Sequence, residues 1–193
     1  MKKLVFGIQG GEGSFNQEAL GIYMENNDIS DYETRFLYTT EVVLKALENH
    51  EIDFGLFAIH NSAGGIVDES IKAMARHRFE IKSNFSILIR HFLMKRRDVD
   101  LSEISKIMAH PQVLKQCRLT LALKYRGFEL ISGERDLIDT ACAAKNLAMR
   151  NVDKNIAVLG PKSLSELYDL EIIDTDLQDS RDNMTSFLVV RAV

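Results

Sequence analysis

Short apolar runs rich in β-branched and aromatic residues alternate along the chain with stretches of helical period. Runs at 4–8, 34–38, 54–59, 106–109, 128–132, 155–159, 170–173 and 187–190 read as strands, and 85–94 as a longer strand-like run. A helix is predicted from Ser14, with Gln17 at the capping-box spacing. A second, capped by Thr39 or Thr40, carries Val42, Val43, Ala46 and Leu47, and a third covers 67–75. Pro111 opens a fourth that runs to about Tyr125, where Gly127 stops it. An alanine-rich helix follows over 137–149, and Ser163 with Glu166 forms a second capping box. Regular alternation of strand and helix predicts an α/β fold with mostly parallel sheet. No repeat of solenoid period occurs, and with only two prolines no proline-rich hinge marks a boundary.

Charge narrows the possible partners. Lys plus Arg is 24 and Asp plus Glu is 28, a net charge of −4. That argues against a general nucleic-acid binder, which needs a cationic face to displace counterions. Residues 71–97 hold eight Lys/Arg against Glu80, and residues 165–182 hold seven acids against Arg181. The two runs are either solvated faces or a cationic rim for an anionic ligand. The two cysteines, Cys117 and Cys142, form no CxxC, so neither a disulfide scaffold nor a cysteine zinc site is expected. The histidines are scattered, and no metal or organic cofactor is expected. The N-terminal apolar run is too short for a signal sequence. No stretch nears the ~20 apolar residues of a membrane span. The expected compartment is the cytosol, with no membrane partner.

Several loops carry candidate chemistry. Gly10-Gly11-Glu12-Gly13-Ser14-Phe15 joins the first strand to the first helix, where glycines admit a ligand and the helix start offers N–H donors. It lacks both the dinucleotide fingerprint and the P-loop lysine. His60-Asn61-Ser62-Ala63-Gly64-Gly65 follows the third strand, at the carboxyl end where open α/β sheets bind ligands. Asn61 and Ser62 offer polar atoms and Gly64 leaves room; His60 reads either as an acid, base or anion partner or as a structural hydrogen-bonder. Cys117 reads as packing rather than as a nucleophile.

Taken in order, five blocks resemble the catalytic domain of prephenate dehydratases. The family's Gly-Pro-x-Gly-Thr-Phe-Ser corresponds to Gly10-Gly11-Glu12-Gly13-Ser14-Phe15-Asn16. Its Pro-Ile-Glu-Asn-Ser-x-x-Gly-x-Val corresponds to 58–67, with His60 at the glutamate. Its Ser-His-Pro-Gln-x-Leu-x-Gln-Cys corresponds to 109–117. Its Ser-Thr-Ala-x-Ala-Ala corresponds to 139–144, with Asp139 at the serine, and its Asn-x-Thr-Arg-Phe to 183–187, with Ser186 at the arginine.

The resemblance implies two lobes like those of type II periplasmic-binding proteins, with a ligand cleft between them. Residues of about 1–78 plus 162–193 would form one lobe and about 79–161 the other. The regulatory ACT domain usual in the family is not expected in a chain ending at Val193. The resemblance further implies loss of carbon dioxide and water from prephenate, leaving the aromatic ring of phenylpyruvate in the route to phenylalanine. Thr185 would deliver the proton to the departing hydroxyl. Ser14, Phe15, His60, Asn61, Ser62, Gly64, Thr140, Ser186 and Phe187 would hold the acid. A homodimer is implied, with the 85–94 run as a shared edge. A divergent relative acting on another carboxylic acid, or a silent binder of one, stays open at this stage.

Overall fold

The computed structural model describes residues 3–133, 137 and 139–193. The chain begins β1 (Leu4–Ile8), α1 (Phe15–Asn26), β2 (Tyr32–Phe36), α2 (Thr40–Glu48) and β3 (Phe54–Asn61). A short β4 (Gly65–Ile66), α3 (Asp68–Met74) and β5 (Glu80–Leu88) follow. Next come β6 (Phe92–Arg96), a 3₁₀ turn (Leu101–Glu103), β7 (Lys106–Met108), α4 (Pro111–Gln116), α5 (Arg118–Lys124) and β8 (Glu129–Ile131). The chain ends with α6 (Thr140–Ala148), β9 (Ile156–Gly160), α7 (Ser163–Tyr168), β10 (Leu170–Asp174) and β11 (Met184–Arg191). Of the helix predicted over 137–149, residue 138 lies outside the described residues.

Two compact units form, Met1–Leu88 with Met184–Val193, and Ile89–Asn183. The boundaries differ from those expected. Strand β5 hydrogen-bonds along its length to β11 and so belongs to the first unit. Strand β10 pairs with β6, which carries the segment after 161 into the second. The 85–94 run is therefore two strands, β5 and β6, in different units.

Each unit holds one sheet, and the two share a single strand pattern. The first reads β2-β1-β3-β11-β5, with β4 on β3, and the second reads β8-β7-β9-β6-β10. In the first unit β1 pairs in parallel with β2 and β3, while β11 runs antiparallel to β3 and β5. In the second, β7 is parallel to β8 and β9, while β6 is antiparallel to β9 and β10. The sheets are thus mixed, not mostly parallel. Helical crossovers impose parallel pairing on three strands of each sheet. The segments that carry the chain between units enter from the opposite end.

Helices cover both faces of each sheet. In the first unit, Val43, Leu44 and Leu47 of α2 and Ala73 of α3 pack on Phe57, Leu188 and Val190. The other face carries stacked rings: Phe187 on Phe85, Phe85 on Tyr23 of α1, and Phe6 on Phe54. In the second unit, Ala141, Ala144 and Leu147 of α6 pack on Met94, Met108 and Val158. Val113, Cys117 and Leu121 meet Leu93, Ile107, Ala157 and Leu159. Strand β9, Ile156-Ala157-Val158-Leu159-Gly160, is buried throughout, which is why it reads as an unbroken apolar run.

Two helix predictions change for local reasons. The single helix expected from Pro111 breaks at Cys117, because the Asp179 carboxylate accepts from Leu119 N–H (2.9 Å) and Thr120 N–H (2.8 Å) and so caps a second helix. At α7 the cap position is Lys162 with no side-chain cap, and Ser163 is already inside the helix. The basic and acidic runs also find each other. Arg90 pairs with Asp176, Lys95 with Glu171 and Arg97 with Asp169, so these three cations of the basic run are neutralised within the second unit, while Lys72, Arg76, Arg78 and Lys82 belong to the first.

Candidate functional site

The polar blocks of the first unit gather at one edge of its sheet. Strand β3 ends at Asn61, and a three-residue turn leads into β4, with Asn61 opposite Gly65. Asn61 shapes this turn itself, since its Oδ1 accepts from Ala63 N–H (3.0 Å) and Gly64 N–H (2.6 Å). With that oxygen engaged, the other end of the carboxamide must donate, and Nδ2 lies 2.8 Å from Thr185 Oγ1. Thr185 sits directly opposite Asn61 in the β3–β11 register, and both are buried. The hydroxyl oxygen of Thr185 is therefore an acceptor, and its own hydrogen points to another partner. Ser62 locks the same corner. Its N–H donates to Met184 C=O (2.8 Å), and its Oγ accepts from Met184 N–H (2.9 Å).

Alternation along a strand separates other expected members of the site. His60 and Ser186 are also cross-strand partners, one residue along from Asn61 and Thr185, and so lie on the opposite face. Ser186 Oγ is 2.8 Å from Ser86 Oγ on β5. The two positions that depart from the Glu and Arg of the motif are thus neighbours of each other rather than of the Thr185 hydroxyl. Phe187 is 1% exposed and stacked on Phe85, so it packs the core and cannot contact a ligand in this conformation. Gly64 contributes its N–H to the Asn61 turn.

Ser14 and Phe15 start α1, at the carboxyl edge of neighbouring β1. Ser14 caps that helix, its Oγ accepting from Gln17 N–H (3.4 Å). The reciprocal half of the box is shifted by one residue, because Gln17 Oε1 accepts from Gly13 N–H (2.6 Å). Gly10 has φ +83°, and a Cβ there would lie 3.0 Å from Ser14 Oγ, so the loop requires glycine twice over.

Sequence reasoning missed Gln9 and Glu69, which tie these elements together. Gln9 accepts from Ala58 N–H (3.1 Å) and donates to Glu69 (2.7 Å). The other carboxylate oxygen of Glu69 accepts from Thr40 N–H at the start of α2 (2.8 Å). No local pattern announces this, because the partners are 29 and 60 residues apart.

Thr140 belongs to the second unit, in the first turn of α6, where Asp139 Oδ1 caps Cys142 N–H (2.8 Å). A Cβ on Gly160 would come within 2.5 Å of Thr140 Cγ2, so this glycine admits the threonine. In the same unit His91 Nε2 lies 2.6 Å from Gln116 Oε1, which also accepts from Asn183 Nδ2 (3.1 Å). Burial pushes the His91 imidazole down to about 4, the Gln116 contact only partly opposing it. His110 caps α4 through Nδ1, and burial lowers its pKa too. Burial pushes the Cys117 thiol up to about 12, which suits packing and not nucleophilic attack.

A cavity of about 350 Å³ in the second unit is lined by Arg96, Arg97, Arg150 and Tyr168, among others. Its guanidiniums are already held by Asp98 and Asp169. Among the described residues no cluster of three or more His, Cys, Asp or Glu could hold a metal ion, and no helix is long and apolar enough to cross a membrane.

Comparison with known proteins gives a consistent answer. The family described as prephenate dehydratase matches residues 6–193. The chain is 31% identical over 150 residues to arogenate dehydratase/prephenate dehydratase 2, chloroplastic, of Arabidopsis thaliana, an alignment covering 78% of this chain and 38% of that protein. It spans less than half the length of the curated relatives it matches. The crystal structure of prephenate dehydratase in complex with L-Phe from Arthrobacter aurescens superposes with a TM-score of 0.86 at 23% identity, covering 98% of this chain and 61% of that one. A lipoprotein from Bacillus subtilis matches with a TM-score of 0.52 at 11% identity, covering 99% and 83%. The fold is accordingly of the type II periplasmic-binding class, two α/β units each built on one sheet.

Proposed function

The chain belongs to the prephenate dehydratase family, and from that membership and the Asn61–Thr185 pair we propose that it is a lyase acting on prephenate in aromatic amino-acid biosynthesis. The reaction breaks the ring C–O bond and the bond to the ring carboxylate. The electron pair of the second bond becomes ring π density, and the carboxylate leaves as carbon dioxide. The hydroxyl leaves as water after taking one proton, and one proton from solvent balances the equation.

The observation that carries this reading is the 2.8 Å hydrogen bond from Asn61 Nδ2 to Thr185 Oγ1. It fixes the hydroxyl as an acceptor from Asn61, leaving its hydrogen to donate to the departing oxygen. It also places an amide donor on the oxygen that gains negative charge as the proton moves. A threonine hydroxyl is a weak acid, so this donor matters most at the transition state. Ser14 and the N–H groups opening α1 are the group we assign to the surviving keto-acid carboxylate. Aromatisation supplies the driving force, and the chemistry calls for no electron sink.

We assign the protein to the cytosol as a homodimer. The support is that Cys117 and Cys142 are not joined in a disulfide and that β5 is an edge strand carrying exposed Ile81 and Leu88. Mixing purified protein with prephenate and following phenylpyruvate by ultraviolet absorbance tests the activity. Turnover is expected in the wild type, with a loss of about 10²–10⁴ in kcat for Thr185→Val. Binding of prephenate without turnover by the wild type would overturn the reading, and phenylalanine formed from arogenate but no product from prephenate would redirect it to the amino-acid analogue.

A further inference from the structure

Six non-glycine residues of the described chain adopt positive φ: Asp28, Tyr38, His50, Arg150, Asp169 and Asp176. Four need no special account. Asp28, His50, Arg150 and Asp169 each lie one or two residues past the end of a helix, where a left-handed residue closes the last turn. Asp176 is of a residue type that tolerates this conformation and pairs with Arg90. Tyr38 differs from all five. It lies between β2 and α2 with φ +61°, bears a bulky ring, and is 63% exposed.

The conformation is held from both sides. Thr39 N–H donates to Leu37 C=O (2.7 Å), closing a three-residue turn centred on Tyr38, the strained hand of the γ-turn. Gly10 N–H donates to Tyr38 C=O (3.0 Å), joining the turn to the loop that leads to Ser14. On the other side Thr39 caps α2 through Val42 N–H, and Thr40 N–H is held by Glu69. A glycine would make this turn without strain. Strain that the surroundings over-determine concentrates at ligand sites.

We propose that Tyr38 is a specificity-determining residue of the site described above, its ring forming an aromatic wall for the ring of the substrate acid; this rests on the proposed function. The strand order supports the placement. Tyr38 follows β2, Gly10 follows β1, Asn61 ends β3 and Thr185 starts β11, four neighbouring strands at one sheet edge. Three strand spacings, roughly 14 Å, separate the outer two. A tyrosine side chain and a ring-bearing acid together span that distance. The ring offers an apolar face to the cyclohexadiene and aromatic rings of substrate and product. The phenol offers a hydrogen bond to a carboxylate.

The test is prephenate turnover by wild type, Tyr38→Gly and Tyr38→Phe, with thermal unfolding of each. Tyr38→Gly should raise KM about tenfold or more and leave kcat within about threefold. Its Tm should hold or rise, because glycine accepts φ +61° without strain. Tyr38→Phe should keep most of the affinity. A KM within twofold of wild type in Tyr38→Gly, with the wild type active, overturns this assignment and leaves the proposed function standing. A lowered Tm in Tyr38→Gly makes the ring a packing element and also overturns it. A wild type that neither binds nor converts prephenate overturns the proposed function, and this assignment with it.

Discussion

Asn61 and Thr185 are 124 residues apart in sequence and face each other across antiparallel strands, with the carboxamide Nδ2 donating to the hydroxyl oxygen at 2.8 Å. Because Asn61 Oδ1 is committed to two turn N–H groups, the direction of this bond is set by the backbone. The carboxamide cannot reverse without leaving those donors unsatisfied.

Asn61→Asp separates orientation from folding. A carboxylate still accepts the Ala63 and Gly64 N–H groups, so the turn should survive. Thr185 must then donate to the carboxylate instead of accepting from it, which turns its hydrogen away from a substrate. The expected result is a loss of about 10²–10³ in kcat, comparable to losing one oxyanion donor. Circular dichroism and Tm should stay near wild type. Undiminished turnover would remove the Asn61–Thr185 bond from the mechanism.

Ser186 tests the face argument. Its hydroxyl bonds Ser86 on the side of the sheet away from the Thr185 hydroxyl. Ser186→Ala should change kcat/KM by less than about threefold, since the lost bond is surface-exposed and worth roughly 0.5–1.5 kcal/mol of stability at most. Steady-state kinetics on prephenate decide it, and a hundredfold loss would place Ser186 in the site after all.

His91 predicts a pH dependence of stability. Its folded-state pKa, about 4, lies below the ordinary value of 6.5, so the unfolded chain binds the proton more readily. The contribution is fully present above pH ~6.5 and declines as pH falls toward ~4, by an amount on the order of 3 kcal/mol. Denaturant midpoints from pH 7.5 to 4.5 should fall more steeply in the wild type than in His91→Gln. His77 acts in the opposite sense. Burial works to lower its pKa, but Glu48 and Glu41 outweigh that and raise it, so its stabilisation is present at low pH and lost as pH rises through the raised value. His77→Gln should flatten the profile on that side. Parallel curves for wild type and His91→Gln would refute the buried-neutral assignment.

Gly160→Ala should destabilise by roughly 1–3 kcal/mol, because the new methyl would sit 2.5 Å from Thr140 Cγ2. Thr140→Ser removes that methyl and keeps the hydroxyl. The double variant should therefore recover part of the lost Tm, the approach to Leu164 Cδ1 at 2.9 Å remaining, and a double-mutant cycle measures the coupling directly. Additive losses would mean that the two residues do not meet.

How much of this was legible beforehand depended on the range of the interaction. Strand β1 spans Leu4–Ile8 as its apolar run predicts, and Ser14 and Thr39 cap their helices, because period and caps act over a few residues. The five ordered motif blocks carried the family. They could not distinguish the face of a strand. His60-Asn61 and Thr185-Ser186 are adjacent pairs, and only the β3–β11 register sends Asn61 and Thr185 to one side and His60 and Ser186 to the other.

Length and periodicity by themselves determined an α/β chain of two cysteines and modest acidity, with polar blocks at strand ends. Tertiary structure alone decided where the units divide, that each sheet mixes parallel and antiparallel pairs, and that a break at Cys117 follows from a carboxylate at Asp179. It alone decided that Phe187 is core, and that Glu69 reaches back 29 residues to cap α2. Periodicity records which positions of a segment avoid water, a local property. Register, distant caps and the direction of the Asn61–Thr185 bond depend on which segment arrives opposite, and that is settled only when the chain has closed its sheets.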